Sequence, residues 1–159
     1  MNTANVMFPE EQKAINVVCA RLHRDANGRA VLLIGRDGQP IAEAGDVSEL
    51  DITSLASLTA GNVAATGAMS KILAEKDFAS QFHEGDRVHV HITLVGKVAI
   101  LVVLFDERSS LGLVRLRVRK ASDEINRLFD QVAVKAQNKT GPSILNEITD
   151  SDIDNLFND

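Results

Sequence analysis

The feature that most constrains the fold is an unbroken apolar run near the middle of the chain. Residues 98–105, VAILVVLF, contain no polar side chain. A strand of this composition is expected at the centre of a sheet, where both of its faces are covered. The preceding segment has an apolar residue at every second position, namely Val88, Val90, Ile92 and Leu94. This alternation predicts a neighbouring strand with one buried face. Gly96-Lys97, between the two runs, suits a tight hairpin turn.

The remaining elements follow from helical and alternating patterns. Three helices are predicted. The first covers residues 8–24, the second begins after Asp51 as N-cap and reaches residue 76, and the third begins after Ser109 or Ser110 as cap. A hairpin of strands 30–35 and 39–45 is predicted around Asp37-Gly38, the composition of a type I′ turn. A short strand is predicted within residues 78–86. The order is therefore α-β-β-α-β-β-β-α. Since hairpins join the strands, we expect a mainly antiparallel sheet of the α+β type.

The second helix has an unusual composition. Residues 57–71, SLTAGNVAATGAMSK, are mostly small, although Gly61 and Gly67 each cost about 1 kcal/mol relative to Ala inside a helix. On a helical wheel one side gathers larger apolar residues, which we expect to pack on the sheet: Leu55, Leu58, Ala65, Met69, Ile72 and Leu73. The other side is small: Ala56, Ser57, Ala60, Ala64, Gly67, Ala68 and Lys71. Two interpretations stand, a buried Ala-rich helix or a docking face for a protein, and the lack of charge on both sides favours docking.

Charge and composition exclude several classes of protein. The chain has 45% hydrophobic residues and a net charge of −5, typical of a folded domain. Five carboxylates and no basic residue lie in residues 146–159, so the other residues carry 17 acidic (22 − 5) and 17 basic groups. We expect no membrane span and no signal peptide, and the single cysteine, Cys19, suits the cytoplasm. Binding to nucleic acid is disfavoured, because the sequence has no Trp or Tyr to stack on bases. One basic cluster is present, which we interpret as a solvated helix face: Arg115, Arg117, Arg119 and Lys120.

The sequence contains few motifs typical of catalysis or metal binding. The sequence contains neither a P-loop nor a GxSxG elbow. Cys19 with His23, and His89 with His91, have spacings that a metal site could use. We interpret Cys19 as a small core residue and the histidines as half-exposed sheet residues, and we expect no metal and no cofactor. A small-molecule sensor, or an enzyme without a familiar motif, stays as a further alternative.

Three segments resemble the Roadblock family: DITSLASLTAGNVAATGAMSKIL at residues 51–73, QFHEG at 81–85, and FDERSSLGLVRLRVRKASDEI at 105–125. The resemblance implies a three-layer fold and a homodimeric GTPase-activating protein that co-regulates a small Ras-like GTPase in bacterial cell polarity and motility, one dimer holding one GTPase. Such a protein is a regulator of hydrolysis by its partner and not itself an enzyme, and it would work in the cytoplasm at a cell pole. A non-catalytic dimeric Roadblock adaptor or scaffold is the alternative.

The resemblance also assigns a GTPase-binding surface. The family's helix-two surface corresponds here to Ser57, Ala60, Gly61, Ala64 and Ala68, and Lys71 lies on the same side of the predicted helix. No catalytic residue is assigned, and we expect activation without an arginine finger because this face contains no arginine. Arg36, in the first hairpin turn, and Arg108, after the central strand, are the exceptions to test.

The chain divides into a Roadblock domain over residues 1–137, a linker over 138–148 and an acidic amphipathic tail over 149–159. The tail carries apolar residues at helical spacing, Ile153, Leu156 and Phe157. We expect this segment to order on a partner, apolar side down. The resemblance implies that the partner is the same GTPase, contacted at a second place. An acidic tail that only aids solubility is the alternative.

Overall fold

The computed structural model describes residues 7–140, with side chains described for residues 7–138. This part of the chain contains three helices and five strands in the predicted order: α1 (Pro9–Asp25), β1 (Ala30–Gly35), β2 (Pro40–Gly45), α2 (Ile52–Ile72), β3 (Ser80–His83), β4 (His89–Val95), β5 (Ala99–Phe105) and α3 (Leu111–Thr140). The predicted α+β class is confirmed. The acidic tail, with Ile153, Leu156 and Phe157, lies outside the described residues.

The five strands form one antiparallel sheet in the order β2-β1-β5-β4-β3. Strand β5 lies at the centre, and all of its residues are buried. It pairs with β4 through the hairpin at Gly96, and with β1 in a register that sets Val31 opposite Val103. The central position predicted for the apolar run is therefore confirmed.

Alternation along the central strands separates two hydrophobic layers. Odd-numbered residues of β1 and β5 point towards α1 and α3 and include Val31, Leu33, Leu101, Val103 and Phe105. Even-numbered residues point towards α2 and include Leu32, Ile34, Ile100, Val102 and Leu104. Because successive side chains of a strand point to opposite faces, one strand supplies both layers. The result is the expected three-layer arrangement, with α1 and α3 on one face of the sheet and α2 on the other.

Helix ends and turns follow their local chemistry. Asp51 caps α2 as predicted, since its carboxylate accepts a hydrogen bond from the Ser54 backbone N–H. The helix ends at Ile72 and not at residue 76, because Ala74 adopts a left-handed conformation (φ 56°) and the Glu75 N–H donates to the Ser70 carbonyl at 2.9 Å.

The first hairpin turn differs from the predicted type. Gly38 has φ 85°, whereas Asp37 is not at positive φ, so the turn is not type I′. The Gly38 N–H donates to the Gly35 carbonyl at 2.9 Å, and the Asp37 carboxylate accepts from the Gln39 N–H at 3.1 Å. This geometry fits a type I turn followed by a glycine in the left-handed region.

Ion pairs join helices α1 and α3 at two places, Arg21 with Glu124 and Lys135 with Glu10 and Glu11. Arg21 donates to both carboxylate oxygens of Glu124, at 2.8 and 2.9 Å. Glu11 is 3% exposed, and Lys135 donates to its Oε1. That hydrogen bond lowers the pKa of Glu11 and raises the pKa of Lys135. None of the described helices combines the length and apolarity needed to cross a membrane.

We expect Lys135→Met to destabilise the protein at pH 7 and to do so less as the pH falls. The folded-state pKa of Glu11 lies below its ordinary 4.5, so its stabilisation is present above that value and is lost on acidification. Without Lys135 the buried Glu11 carboxylate loses its cation. Protonation of Glu11 at low pH removes the buried charge and so reduces the destabilisation of the variant. Melting temperatures from pH 3 to pH 7 measure this, with Lys97→Met as an exposed control. A difference in melting temperature between variant and wild type that stays constant with pH would contradict this prediction.

Candidate protein-docking site on helix α2

Helix α2 packs on the sheet through small and polar side chains. Its buried residues are Ala56, Thr59, Val63 and Ser70. The larger apolar residues are exposed instead, at 72% for Leu58, 56% for Met69, 85% for Ile72 and 60% for Leu73. The prediction that the large apolar side faces the sheet is therefore wrong for these residues. Of the predicted set, Leu55 is half-buried and does pack against the sheet layer.

Local hydrogen bonding explains how polar residues are accommodated on the sheet side. The Ser70 hydroxyl donates to the Gly67 carbonyl at 2.7 Å, and the Thr66 hydroxyl to the Asn62 carbonyl at 2.8 Å. A buried hydroxyl satisfied within its own helix carries little desolvation penalty. Small side chains on this stripe also let the helix axis lie close to the sheet.

One flank of α2 holds the predicted GTPase-binding residues, and we call it the small-residue flank: Ser57, Ala60, Gly61, Ala64, Ala68 and Lys71. All are exposed except Ala60, which is half-buried against the sheet. The structure brings these residues together along one side of the helix, over roughly four turns. Their exposure means that the described chain leaves most of this flank uncovered.

A cleft of about 280 Å³ runs beside this flank. Helix α2 lines it with Ala60, Ala64, Gly67, Ala68 and Lys71, among others. The opposite wall contains Arg36 and Asp77, whose side chains approach to 3.5 Å. The sequence analysis singled out Arg36 but missed Asp77. No linear signal marks Asp77, because tertiary structure alone brings the hairpin turn and the segment after α2 together.

The space around three glycines shows how closely other groups approach this flank. A Cβ on Gly38 would lie 3.4 Å from Ser57 Cα, so the hairpin turn packs directly on α2. A Cβ on Gly67 would lie 3.3 Å from the Asp77 carboxylate. A Cβ on Gly61 would meet no atom within 4 Å. Packing within the described chain therefore does not require a glycine at residue 61.

The other flank of α2, the large apolar flank, consists of Leu58, Ala65, Met69, Ile72 and Leu73. Its members recur at helical spacing and are exposed. Phe78, a few residues beyond the helix, is 36% exposed. Monomeric proteins seldom leave a large connected apolar patch in water, so this flank has the composition of an interface.

The other candidate residues have structural partners. Asp106 holds Arg108 through two hydrogen bonds of 3.0 and 3.1 Å, which lower the pKa of Asp106 and raise that of Arg108. The Arg108 carbonyl accepts a hydrogen bond from Asn27, just beyond α1. Arg108 thus lies beside the end of α1, and it does not line the cleft on α2.

Cys19, His89 and His91 lie in the α1–α3 layer. His89 is half-buried as predicted, whereas His91 is buried and not half-exposed. Burial raises the pKa of Cys19 to about 12, which keeps the thiol protonated. The His89 ring packs against Phe105 with centroids 5.2 Å apart, and His91 Nδ1 lies 3.2 Å from the Thr93 hydroxyl. Within residues 7–138 no three His, Cys, Asp or Glu side chains come together as metal ligands.

Comparisons with known proteins place this arrangement in a family. The family model for the Roadblock/LC7 domain matches residues 14–105. The comparison with curated proteins gave no match. Among solved structures, MglB of Myxococcus xanthus is 52% identical, the match covering 80% of this chain and 96% of that one, with a TM-score of 0.77. A gliding protein MglB of Thermus thermophilus is 32% identical over 79% of this chain and 96% of its own, with a TM-score of 0.74.

A third structure, described as MglB with a tetrameric arrangement, is 30% identical, with a TM-score of 0.76 over 80% of this chain and 96% of its own. The family match covers more than half of the sequence, and these relatives align over most of their length. The resemblance seen in the sequence is confirmed, and the chain belongs to the Roadblock/LC7 family, with MglB proteins among its relatives.

Proposed function

We propose that the protein is a homodimeric GTPase-activating protein and co-regulator of a small Ras-like GTPase of the MglA type, with two copies of the chain per GTPase. It regulates hydrolysis by its partner and is not itself an enzyme. It acts in bacterial cell polarity and gliding motility, in the cytoplasm at a cell pole. The observation that carries the proposal is the pair of uncovered flanks on α2, one large and apolar, the other made of small residues.

The positions of the two flanks allow two different partners. The two flanks adjoin on the exposed side of the helix, but their centres are roughly 110° apart around its axis, so each faces a different direction. One flank can therefore hold a second copy of the chain while the other holds the GTPase. Self-assembly is supported by the relative described as MglB with a tetrameric arrangement.

The large apolar flank suits the second copy. Leu58, Met69 and Ile72 are each more than half exposed and lose water contact if they meet their counterparts. A stable dimer buries about 1,200 Å² or more in total, which one helix flank alone would not supply.

The sheet offers the remaining dimer area at β3. This strand is at one edge, and no described strand pairs with its outer side. At the other edge, β2 starts with Pro40, which has no N–H, and its Ile41 carbonyl already accepts from the Gln12 side chain at 2.9 Å. We therefore assign β3 to the dimer, since pairing across a two-fold axis would remove an exposed edge.

The small-residue flank suits a GTPase that approaches closely. Alanine and glycine lose little or no side-chain entropy on docking, and they allow a partner backbone to come near the helix axis. Gly61, which has open space above it, fits this use. Lys71 adds a positive charge at the end of the flank. The cleft beside the flank offers a depression for one partner side chain.

Activation in this arrangement does not use an arginine finger. Arg36 is the arginine that lines the α2 cleft, and Asp77 holds it. Apart from Lys71 at the end of the flank, the residues of α2 that line the cleft are Ala, Val and Gly, which cannot stabilise a developing charge. The protein would accelerate hydrolysis by holding the GTPase's own residues in the productive geometry.

A non-catalytic adaptor is the second candidate, and the same Ala- and Gly-rich lining favours it. Single-turnover hydrolysis of GTP by the partner GTPase separates the two. Acceleration at saturating concentrations of this protein supports the activator. Binding without acceleration supports the adaptor.

The tail beyond the described residues is proposed as a second contact with the same GTPase. Its apolar triplet would face a groove, and its carboxylates would face basic side chains. Tethering raises the local concentration of the tail to about the millimolar range, so a weak contact can still act.

We expect Ile72→Glu to dissociate the dimer into 17.2 kDa chains without unfolding them. The new carboxylate would be desolvated between two apolar flanks. Sedimentation velocity at micromolar concentration measures the mass. Val134→Glu is the control, since Val134 is an exposed apolar residue too, at 56%, but lies on α3. A wild-type protein that sediments as a monomer would refute the dimer.

We expect Ala64→Arg to remove GTPase binding and stimulation while the protein stays folded and dimeric. An arginine would stand several ångströms above a flank shaped for close approach. Pull-down and single-turnover assays measure the loss, and circular dichroism and sedimentation check the fold. Ala133→Arg, at an exposed alanine of α3, should leave both activities intact. If Ala64→Arg unfolds or dissociates the protein, this flank packs inside the assembly.

Arg36→Ala should keep most of the stimulation, with a loss of less than about tenfold. An arginine finger contributes about 10³–10⁵ in rate, so its removal would be far more damaging. Asp77→Ala is a useful companion, because it frees Arg36 and should also have a small effect. Near-complete loss with unchanged binding in Arg36→Ala or Arg108→Ala would show that a finger exists.

Deletion of residues 143–159 should leave dimerisation intact and change GTPase affinity or nucleotide exchange. Replacing Ile153, Leu156 and Phe157 with Ser should have the same effect, because the apolar contact is lost in both. Fluorescent-nucleotide exchange and titration of the GTPase measure the change. Unchanged binding and exchange in both variants would leave solubility as the role of the tail.

A further inference from the structure

A second cleft lies on the opposite side of the sheet from α2. It has a volume of about 350 Å³ and runs between α3 and the β3–β4 edge. Most of its lining residues carry polar or charged side chains, among them His91, Arg115, Arg119, Ser122 and Asp123. Neither flank of α2 contributes to it.

The floor of this cleft includes a buried imidazole. His91 is 2% exposed, and its Nδ1 lies 3.2 Å from the Thr93 hydroxyl, which fixes the ring. Burial, and secondarily the charge of Arg115, lower the pKa of His91. The ring is therefore neutral at pH 7.

A hydroxyl beside the cleft has no partner. Ser122 Oγ is buried, and no described group forms a hydrogen bond with it. Nearly all buried polar atoms in folded proteins have a partner, so an unpaired one calls for an explanation. Ser122 lines the cleft, so rotation about its Cα–Cβ bond would turn this hydroxyl into the cleft, where a ligand oxygen would accept its hydrogen bond.

Two arginines at the rim are also free of carboxylates. Arg115 and Arg119 are four residues apart on α3, so both point to the same side of the helix. None of the described carboxylates lies within ion-pair distance of either guanidinium, so both are available to an anionic ligand. Two unpaired guanidinium groups thus converge on one polar cleft.

We propose that this cleft binds the phosphate group of a small phosphorylated compound. Phosphate has several acceptor oxygens, which match two guanidinium forks and the Ser122 hydroxyl. The volume is within the range of about 300–1,000 Å³ for small-molecule sites, enough for a phosphate with a modest substituent. Asp123, the acidic residue of the lining, opposes the ligand and limits its affinity.

The site does not depend on the proposed GTPase regulation, because its residues lie on α3, β3 and β4 and not on α2. It would give the protein a small-molecule input on the face that the proposed GTPase leaves free. The site does lie close to the β3 edge assigned to the dimer, since Ser80 is the first residue of that strand.

Calorimetric titration of the full chain with inorganic phosphate, at constant ionic strength set with sodium chloride, tests the proposal. We expect one saturable site per chain. Arg115→Gln and Arg119→Gln should each weaken binding about tenfold or more, the usual effect of losing a charge-assisted hydrogen bond. Arg117→Gln is the matched control, because it removes the same charge from α3 but lines the groove towards α1. Its affinity should stay within about twofold of wild type.

Three further measurements separate a built site from diffuse charge. Ser122→Ala should weaken phosphate binding, whereas Asp123→Asn should strengthen it. In NMR titrations phosphate should raise the pKa of His91, because an added anion favours the imidazolium among the charged groups of the lining, Arg115, Arg119 and Asp123. Unsaturable binding, an equal loss in Arg117→Gln, or tighter binding of succinate than of phosphate would overturn the proposal.

Discussion

The burial of strand β5 on both faces is the constraint on which the rest of the structure depends. Its residues from Ala99 to Phe105 are all buried, and burying each large apolar side chain contributes about 1.5–3 kcal/mol. Because its side chains alternate between faces, one strand requires a helical layer on each side. Helices α1 and α3 supply one layer with ordinary amphipathic stripes. Helix α2 alone supplies the other, so its composition decides what the molecule can offer to partners.

Helix α2 divides its side chains in an unusual way. It covers the sheet with Ala56, Thr59 and Val63, and it leaves Leu58, Met69 and Ile72 in water. A helix selected only for the stability of one chain would place the larger residues inward, since apolar burial drives folding. The observed orientation weakens the isolated chain and keeps apolar area for association. Under the proposed function, dimerisation and GTPase docking thus follow from the same rotation of one helix about its axis.

The sequence predicts those features that depend on near neighbours. The apolar run of β5, the alternation in β4 and the Asp51 cap each identify an element without tertiary knowledge. The orientation of α2 could not be predicted in this way, because a helical wheel ranks sides by hydrophobicity and cannot know that Ser70 is satisfied by the Gly67 carbonyl. Asp77 and the Glu11–Lys135 pair were out of reach for another reason: their partners are distant in the chain and meet only in the folded domain.

Gly61 shows how an unfavourable residue can indicate function. Glycine inside a helix costs about 1 kcal/mol relative to alanine, and the usual reason to accept this is close packing within the chain. Gly67 has such a reason, because the Asp77 carboxylate would lie 3.3 Å from an added Cβ, whereas Gly61 has open space. Under the proposed function, the cost at Gly61 is offset by a partner group that comes close to the helix backbone. Ala64 and Ala68, one and two turns further on the same flank, extend the surface on which such a group would rest.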